Sequence, residues 1–223
     1  MSRAFKTLMV TGGAGFMGSN FIRYAFRSAG FQGRILNVDK LTYAADEQNL
    51  ADLAPESEAG RYRLLRRDVS DQEAMNRIVR EERVDGIVNF AAESHVDRSI
   101  VAAQAFGATN ILGTLVLLEA ARAAWGNRRD TLFHQVSTDE VYGSCPAPGE
   151  FAEGDRYAPS NPYAASKAAA DHLVRSFGVT HGLSYTITIA TNNYGPYQSP
   201  EKLVPLVLTR LYAGEKIPIY GQG

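Results

Sequence analysis

Short hydrophobic runs bounded by turn residues alternate along the chain with segments whose apolar residues recur at helical spacing. This alternation is typical of βαβ units, in which parallel strands are joined by helices. Several runs are unbroken, as expected for strands covered on both faces. The pattern therefore predicts an α/β fold with a doubly wound parallel sheet. Its strands are predicted at residues 6–10, 35–39, 62–68, 86–91, 132–137 and 184–190.

Helical patterns lie between the predicted strands, at residues 16–28, 71–82, 99–124 and 162–177. The last of them has Ser160 as a possible N-cap and Pro162 near its first turn. Two stretches rich in turn residues predict loops at residues 46–60 and 143–161, and either loop could cover a site.

The regular alternation ends after Ala190. Residues 191–223 contain four prolines, a short helical pattern at 203–212 and a possible strand at 217–220. We therefore predict a first domain over residues 1–190, followed over residues 191–223 by the beginning of a smaller C-terminal substrate domain.

Composition and charge narrow the classes of function. Lysine plus arginine (23) nearly balances aspartate plus glutamate (24), so no overall field draws the chain to nucleic acid or to an anionic membrane. The single cysteine, Cys145, lacks a second thiol for an internal disulfide, and the four histidines show no metal-ligand spacing. The apolar run near the N-terminus is too short for a membrane span. We expect a cytoplasmic protein with no metal, no membrane segment and no nucleic-acid partner.

The most specific local motif is TGGAGFMG at residues 11–18, between the first strand and the first helix. Glycine allows a tight turn and a close approach of the backbone to a pyrophosphate, which the helix N-terminus then attracts. Gly12 or Gly13, Gly15 and Gly18 can fill these positions. In this context the motif predicts a Rossmann-type dinucleotide-binding domain over residues 1–190.

Two acidic residues at strand ends are candidate cofactor contacts. Asp39 ends the second strand about twenty residues after Gly18, where a carboxylate can accept the ribose hydroxyls and repel a 2′-phosphate. NAD is therefore favoured over NADP, although the adjacent Lys40 leaves NADP as an alternative. Asp68 ends the third predicted strand and could reach the adenine, or could cap the helix that begins near Asp71.

Tyr163 and Lys167 are four residues apart on one face of a predicted helix. An ammonium beside a phenol lowers the phenol pKa, which is about 10 in water, toward the range useful to a general base. We therefore expect Tyr163 to be a base with a lowered pKa, assisted by Lys167.

The fifth predicted strand ends in VSTDEVYG at residues 136–143. Because ligands bind beyond the carboxyl ends of parallel strands, Thr138, Asp139 and Glu140 should face the cofactor together with Ser137. Two adjacent carboxylates beside a base are more than a hydride transfer needs, which indicates a further chemical step. The alternative interpretation of Asp139 and Glu140 is a solvated turn with an N-cap. His95 follows the fourth strand and could line the same pocket, whereas the other three histidines are interpreted as structural.

With these motifs in place, the chain resembles the extended short-chain dehydrogenase/reductase superfamily, and within it the TDP-glucose 4,6-dehydratases. The resemblance covers nearly the whole chain, and its matching segments are TGGAGFMGSN, VDKLTYA, AAESHVDRSI, STDEVYG, NPYAASKAAAD and NNYGPYQSPEKLVPL. Similar UDP-sugar 4-epimerases usually carry small hydroxyl residues where Asp139 and Glu140 stand, so STDEVYG is the discriminating segment.

The resemblance implies a lyase reaction on TDP-glucose with tightly bound NAD. Tyr163, assisted by Thr138 and Lys167, would take the proton of the sugar 4-hydroxyl while NAD accepts the C4 hydride. Glu140 would then remove the C5 proton and Asp139 would protonate the departing C6 hydroxyl, after which the hydride returns to C6. The alternatives are a nucleotide-sugar 4-epimerase and a non-catalytic NAD-sensing module.

The resemblance also implies binding residues and an assembly. Positions that match cofactor contacts of the family, besides those named above, are Phe16, Met17, Leu41, Thr42, Val69, Ala91 and Thr109. Positions that match contacts to the sugar or nucleotide, besides Thr138, are Ser94, Asn192, Lys202, Pro218 and Tyr220. A homodimer through the helices predicted at 99–124 and 162–177 is a further family expectation.

The chain departs from the family pattern in a few places. The family usually has glycine and asparagine after TYA, where this chain has Ala45 and Asp46, and phenylalanine where Ser199 stands. The preference for TDP over UDP is therefore a family expectation that these residues do not establish. A family member would also continue past Gly223, so the substrate region is expected to be truncated here.

Overall fold

A computed structural model describes residues 4–145 and 148–217 of the chain. Its centre is a six-stranded, wholly parallel sheet in the order β3-β2-β1-β4-β5-β6. This order confirms the predicted doubly wound α/β fold. The strands are β1 (Thr7–Thr11), β2 (Arg34–Asp39), β3 (Tyr62–Arg66), β4 (Gly86–Asn89), β5 (Leu132–Thr138) and β6 (Tyr185–Ala190).

Two strands are shorter than their hydrophobic runs. β3 ends at Arg66 rather than at Asp68, because Asp68 folds back to accept hydrogen bonds from the backbone N–H and hydroxyl of Ser70. β4 ends at Asn89 rather than at Ala91, whose N–H donates to the Thr11 hydroxyl instead of a strand carbonyl. One further backbone hydrogen bond follows each strand, from the Arg67 N–H to the Asp39 carbonyl and from the Phe90 N–H to the Thr11 carbonyl, before the pairing ends.

Both faces of the sheet are covered by buried side chains. Successive residues of a strand point to opposite faces. Met9 accordingly belongs to the core cluster that α3 and α6 help to form, while Leu8 and Val10 belong to the cluster that α1 helps to form. Central strands covered in this way explain the unbroken hydrophobic runs in the sequence. These helices are α1 (Phe16–Arg27), α3 (Gln72–Glu81) and α6 (Gly113–Trp125).

The prediction of a single helix over residues 99–124 is wrong. The segment divides into α4 (Val96–Val101), α5 (Ala103–Phe106), a π-helical stretch (Gly107–Leu112) and α6. Ala102 interrupts the first turns with a φ of −139° and a ψ of 47°, outside the helical region. A π-helical stretch inside a helix often accompanies a functional site, and this one contains Thr109, a predicted cofactor contact.

The prediction of a loop over residues 46–60 is also wrong. This stretch holds a 3₁₀ helix (Glu47–Leu53) and α2 (Ala54–Glu58), and it buries Leu50 and Leu53 against the sheet face that packs on α1. Asp46 caps the 3₁₀ helix by accepting a hydrogen bond from the N–H of Gln48. The stretch has too few apolar residues to show helical spacing, so packing decides its structure.

The last two helices of the described chain are α7 (Pro162–His181), which carries Tyr163 and Lys167, and α8 (Leu203–Tyr212). α7 runs four residues beyond its predicted end, and α8 has the predicted bounds. Ser160 does not cap α7; Asn161 does, by accepting a hydrogen bond from the N–H of Ala164. The strand predicted at 217–220 lies almost entirely outside the described residues. Among the described residues, none of the helices has the length and hydrophobicity needed to cross a bilayer.

Candidate active site

A cleft of about 310 Å³ opens at the carboxyl end of the sheet. Its lining comes from the carboxyl ends of β2, β5 and β6, from the segments that follow each of the six strands, and from residues of α1, the π-helical stretch and α7. It lies where the chain order reverses between β1 and β4, which is the place where doubly wound sheets bind their ligands. The fold alone therefore brings distant parts of the sequence to one site.

The glycine turn forms the floor of the cleft. Gly12 has a φ of +66°, and a Cβ there would lie 2.8 Å from the backbone nitrogen of Ala91, so a larger residue would be both strained and crowded. A Cβ on Gly18 would collide with the Gly12 carbonyl oxygen. No side chain caps the N-terminus of α1, which begins directly after Gly15. This backbone leaves room and free N–H groups for a diphosphate, as the motif predicts.

Asp39 connects the glycine turn to the end of β2. Its Oδ2 accepts a hydrogen bond from the N–H of Ala14 at 3.0 Å, and its Oδ1 accepts one from the N–H of Leu41 at 2.8 Å. Burial raises the pKa of Asp39, and the two backbone hydrogen bonds oppose that rise. A carboxylate has about four acceptor positions, so two remain for ribose hydroxyls. Asp39 lines the cleft, where a cofactor-binding carboxylate is needed.

Lys40 is surrounded by acceptors. Its Nζ lies 3.0 Å from the Thr109 hydroxyl oxygen, 3.6 Å from Asp68 Oδ2 and 3.8 Å from Glu93 Oε1. Burial raises the pKa of Asp68, but hydrogen bonds from Ser70 and the charge of Lys40 outweigh that effect and lower it. Two carboxylates therefore already balance the charge of the Lys40 ammonium. This weakens the alternative in which Lys40 binds the 2′-phosphate of NADP.

The expectation of a lowered pKa for Tyr163 is wrong. Burial and the negative charge of Glu140 raise the pKa of Tyr163 to about 12, while a hydrogen bond with Thr138 acts in the opposite direction. The Lys167 ammonium donates instead to the carbonyl oxygen of Val136 at 2.6 Å. Burial lowers the pKa of Lys167 to about 8, and the charge of Asp171 opposes this. The two residues line the same cleft, as their spacing predicts, but Lys167 is not among the influences on the pKa of Tyr163, which burial and Glu140 raise.

Glu140 is held beside Tyr163 from two directions. The 3₁₀ turn Asp139–Tyr142 begins directly after β5 and is capped by Thr138, whose hydroxyl oxygen accepts from the N–H of Glu140 at 3.4 Å. Asn161 Nδ2 donates to Glu140 Oε2 at 3.1 Å. A capped turn, the alternative weighed above, is thus present, and it aims one of its carboxylates into the cleft.

Most of the predicted site residues line this one cleft. The three that do not, among the described residues, are Leu41, Asp68 and Asp139, each adjacent in sequence to one that does. Pro218 and Tyr220 lie outside the described residues. The lining positions are Gly12, Gly15, Phe16, Met17, Gly18, Asp39, Lys40, Thr42, Val69, Ala91, Ser94, Thr109, Thr138, Glu140, Tyr163, Lys167, Asn192 and Lys202.

Several residues that line the cleft were not among the predicted site residues. Tyr43, Glu93 and Glu201 stand in segments that carry the family resemblance, which was the available signal, whereas Arg67 stands outside those segments. His95, a candidate for the pocket, contacts its edge, with Nε2 3.8 Å from Glu201 Oε2. Asp171 could have been identified from the repeated spacing of four residues that links it to Tyr163 and Lys167.

The two functions of Asn161 lead to a stability prediction. Asn161→Ala removes the cap of α7, and loss of such a cap typically costs about 1 kcal/mol of the free energy of unfolding. We expect a decrease of that size in urea denaturation of the 223-residue chain. Ser160→Ala is the matched control and should leave stability within about 0.5 kcal/mol, as for ordinary surface substitutions. Equal losses in both variants would contradict the assignment of the cap to Asn161.

Comparison with known proteins gives a consistent set of relatives. The family model described as GDP-mannose 4,6 dehydratase matches residues 9–223. The chain is 47% identical to a dTDP-glucose 4,6-dehydratase from Shigella flexneri and 49% identical to one from Xanthomonas campestris pv. campestris (strain B100). Each alignment covers 97% of this chain but 62% of the relative, so the chain spans less than two thirds of these proteins.

Solved structures extend the comparison. A dTDP-glucose 4,6-dehydratase from Streptomyces venezuelae, solved with NAD and TYD bound, has a TM-score of 0.89 and 44% identity, over 97% of this chain and 65% of that one. A Thermus thermophilus UDP-glucose 4-epimerase in complex with NAD has a TM-score of 0.81 at 29% identity, over 95% of this chain and 64% of that one. The fold is common to both enzymes, and the sequence is more similar to the dehydratase.

Proposed function

Because the chain belongs to the GDP-mannose 4,6 dehydratase family, we propose that the full-length protein dehydrates TDP-glucose to TDP-4-keto-6-deoxyglucose with tightly bound NAD. The observation that carries this proposal is the carboxylate of Glu140 beside Tyr163 in the cleft, with Asp139 adjacent. A 4-epimerase needs the tyrosine but has no step for a carboxylate base next to it. The relatives with 47–49% identity support the same substrate.

The cleft residues fit NAD as the cofactor. The glycine turn has the space and the free helix terminus that a diphosphate requires, and Asp39 lies where the ribose hydroxyls would need an acceptor. When bound, NAD would accept hydride from C4 of the sugar and later return it to C6. The protein's part is to position the cofactor and the sugar and to move protons.

The proton transfers fall to the side chains at the end of β5 and the start of α7. Tyr163 must lose its own proton before it can take that of the 4-hydroxyl. The hydrogen bond with Thr138 favours this ionisation, and the positive charge of bound NAD would favour it further. Glu140 takes the proton from C5, and Asp139 supplies one to the departing 6-hydroxyl. The proton held by Glu140 would then return to C5 when the hydride is returned to C6. Because the charge of Glu140 raises the pKa of Tyr163, protonation of Glu140 makes the phenol a better acid. The two proton-transfer groups are therefore electrostatically coupled.

The test of the function is product analysis with the full-length protein. Incubation with TDP-glucose should give a product lighter by one water, with a ketone at C4 and a methyl group at C5 in NMR spectra. A product of unchanged mass with an inverted C4 would identify a 4-epimerase instead. Bound NAD without any turnover would identify a non-catalytic NAD-sensing module. UDP-glucose in a parallel reaction tests the base preference, and faster turnover of UDP-glucose would contradict the choice of TDP.

A cofactor preference follows from Asp39 and Lys40. A carboxylate repels the 2′-phosphate of NADP, and the nearest lysine is already compensated by Asp68 and Glu93. We expect NAD to bind at least tenfold more tightly than NADP, a difference of about 1.4 kcal/mol. Calorimetric titration of the 223-residue chain measures both affinities, and Asp39→Asn should narrow the ratio. Equal affinities in the unsubstituted chain would contradict the assignment.

We further propose that the protein is a cytoplasmic homodimer. Support for the dimer comes from apolar side chains exposed on α4 and α7, where Ile100 is 66% exposed, Val101 84% and Val179 85%. Contiguous exposed apolar side chains mark candidate contact surfaces, and Ile100 and Val101 are neighbours in sequence on α4. The single cysteine fits a reducing compartment. Sedimentation of the full-length protein as a monomer at micromolar concentration would contradict the dimer, and secretion of the tagged protein would contradict the location.

A further inference from the structure

Asp171 is a fully buried carboxylate on α7 that has no part in the proton transfers proposed above. Its exposed fraction is 0%, and it stands one helical turn after Lys167 and two turns after Tyr163. Its Oδ2 accepts a hydrogen bond from the Ser137 hydroxyl at 2.6 Å and another from the Tyr157 hydroxyl at 3.1 Å. Its Oδ1 is buried without a hydrogen-bond partner among the described residues.

These contacts join three segments that each deliver a site residue. Ser137 is the residue before Thr138 at the end of β5, and Tyr157 belongs to the segment that leads into Asn161, the partner of Glu140. Asp171 itself is on the helix that carries Tyr163 and Lys167. The carboxylate of Asp171 thus links α7 by hydrogen bonds to the end of β5 and to the segment that leads into Asn161.

The charged and titratable groups around Asp171 come from the same three segments. Arg175, one turn later on α7, donates to the Tyr157 hydroxyl at 3.2 Å and is exposed at its outer end. Tyr142, the last residue of the 3₁₀ turn, packs edge-on against the ring of Tyr157. On the inner side stands Lys167, whose ammonium is buried and donates to Val136.

We propose that Asp171 is a positioning residue of the active site, whose buried anion keeps Lys167 in its ammonium form while its hydrogen bonds fix the end of β5. A buried ammonium is costly unless it is paired, because water no longer solvates it. The carbonyl of Val136 supplies a dipole but no full charge. Asp171 stands one helical turn away on the same helix and, without a direct ion pair within 4.0 Å, contributes a negative charge to the same buried region.

The pKa directions agree with this geometry. Burial lowers the pKa of Lys167 to about 8, and the charge of Asp171 is the influence that opposes this. In return, burial raises the pKa of Asp171, while the hydrogen bond from Ser137 and then the charge of Lys167 lower it. Interactions of this kind are reciprocal, so each partner must respond when the other is removed.

If Asp171 had a purely structural role, a different result would be expected for the protonation of Lys167. A carboxylate that only holds Ser137 and Tyr157 in place could be replaced by asparagine without changing the protonation of Lys167. The proposal rests on the proposed function in one respect: the charge on Lys167 matters because Tyr163 moves a proton. The protonation of Lys167 itself can be measured without any turnover, and failure of one proposal can therefore be distinguished from failure of the other.

The experiment is an NMR titration of the 223-residue chain labelled with ¹³C at lysine Cε. The resonance of Lys167 is identified by its loss in Lys167→Met. We expect Asp171→Asn to shift the midpoint for Lys167 from about 8 to below about 7, a change of at least tenfold in its protonation equilibrium. Glu119→Gln, which removes an exposed carboxylate on α6, is the matched control and should leave the midpoint unchanged.

A second variant covers the case in which Asp171→Asn does not fold. In Lys167→Met, reciprocity requires the midpoint of Asp171, followed at its carboxyl carbon, to rise by at least tenfold in the same equilibrium. An unchanged Lys167 midpoint in folded Asp171→Asn, or an unchanged Asp171 midpoint in Lys167→Met, would overturn the proposal. In the full-length protein, Asp171→Asn should also move the alkaline limb of the pH–rate profile to lower pH, and an unmoved limb counts against it.

Discussion

In the full-length protein, Tyr163→Phe is expected to lower the rate of cofactor reduction on addition of TDP-glucose by about 10²- to 10⁴-fold, the usual effect of removing a general base. The phenylalanine ring preserves the packing against Phe106, whose ring centroid lies 6.3 Å away, but it has no oxygen to accept the 4-hydroxyl proton. Oxidation at C4 is the first step, so product formation should fall by the same factor.

The measurement for Tyr163→Phe is a single-turnover absorbance experiment that follows reduced nicotinamide. Tyr24→Phe is a matched control, because it removes the same hydroxyl group from a tyrosine on α1 that is 61% exposed and does not line the cleft. It should reduce the cofactor at the unsubstituted rate. Rapid cofactor reduction by folded Tyr163→Phe would remove Tyr163 from the oxidation step.

The second large effect is expected for Glu140→Gln, which should act after oxidation. The amide retains an oxygen that can accept from Asn161 Nδ2, so the local geometry is preserved. Loss of the base for C5 should lower product formation by about 10²- to 10⁴-fold. Reduced cofactor should nevertheless accumulate, because Thr138, Tyr163 and Lys167 remain in place.

The electrostatics sharpen this prediction. The negative charge of Glu140 raises the pKa of Tyr163, so its removal should lower that pKa and make oxidation at neutral pH as fast as before or faster. Asp139→Asn should likewise oxidise C4 and then eliminate slowly. Glu150→Gln, at an exposed position in the segment that follows β5, should turn over normally. If Glu140→Gln blocked cofactor reduction as completely as Tyr163→Phe, the dehydratase assignment would lose its mechanistic support.

The sequence predicted helices and strands best where the local pattern of apolar residues coincided with the face that packs in the folded protein. The six strands, α1 and α3 follow directly from hydrophobic periodicity, because their apolar residues pack in or against the core. α8 has the predicted bounds although none of its residues is buried. Prediction from the sequence failed where tertiary contacts determine the conformation. The examples are the break at Ala102, the helices within residues 46–60 and the cap at Asn161. In each case a few residues with weak preferences follow the packing around them.

The chemistry of the site divides in the same way. The sequence by itself determined which residue types stand at the ends of strands, and hence a glycine turn, a carboxylate at Asp39 and the group of Thr138, Glu140, Tyr163 and Lys167. Only the tertiary structure decided the directions of their pKa shifts: burial is the largest influence on both Tyr163 and Lys167, and neither residue is among the influences on the other, although their spacing suggested a pair. Desolvation depends on every chain segment that excludes water, and no local pattern encodes that sum.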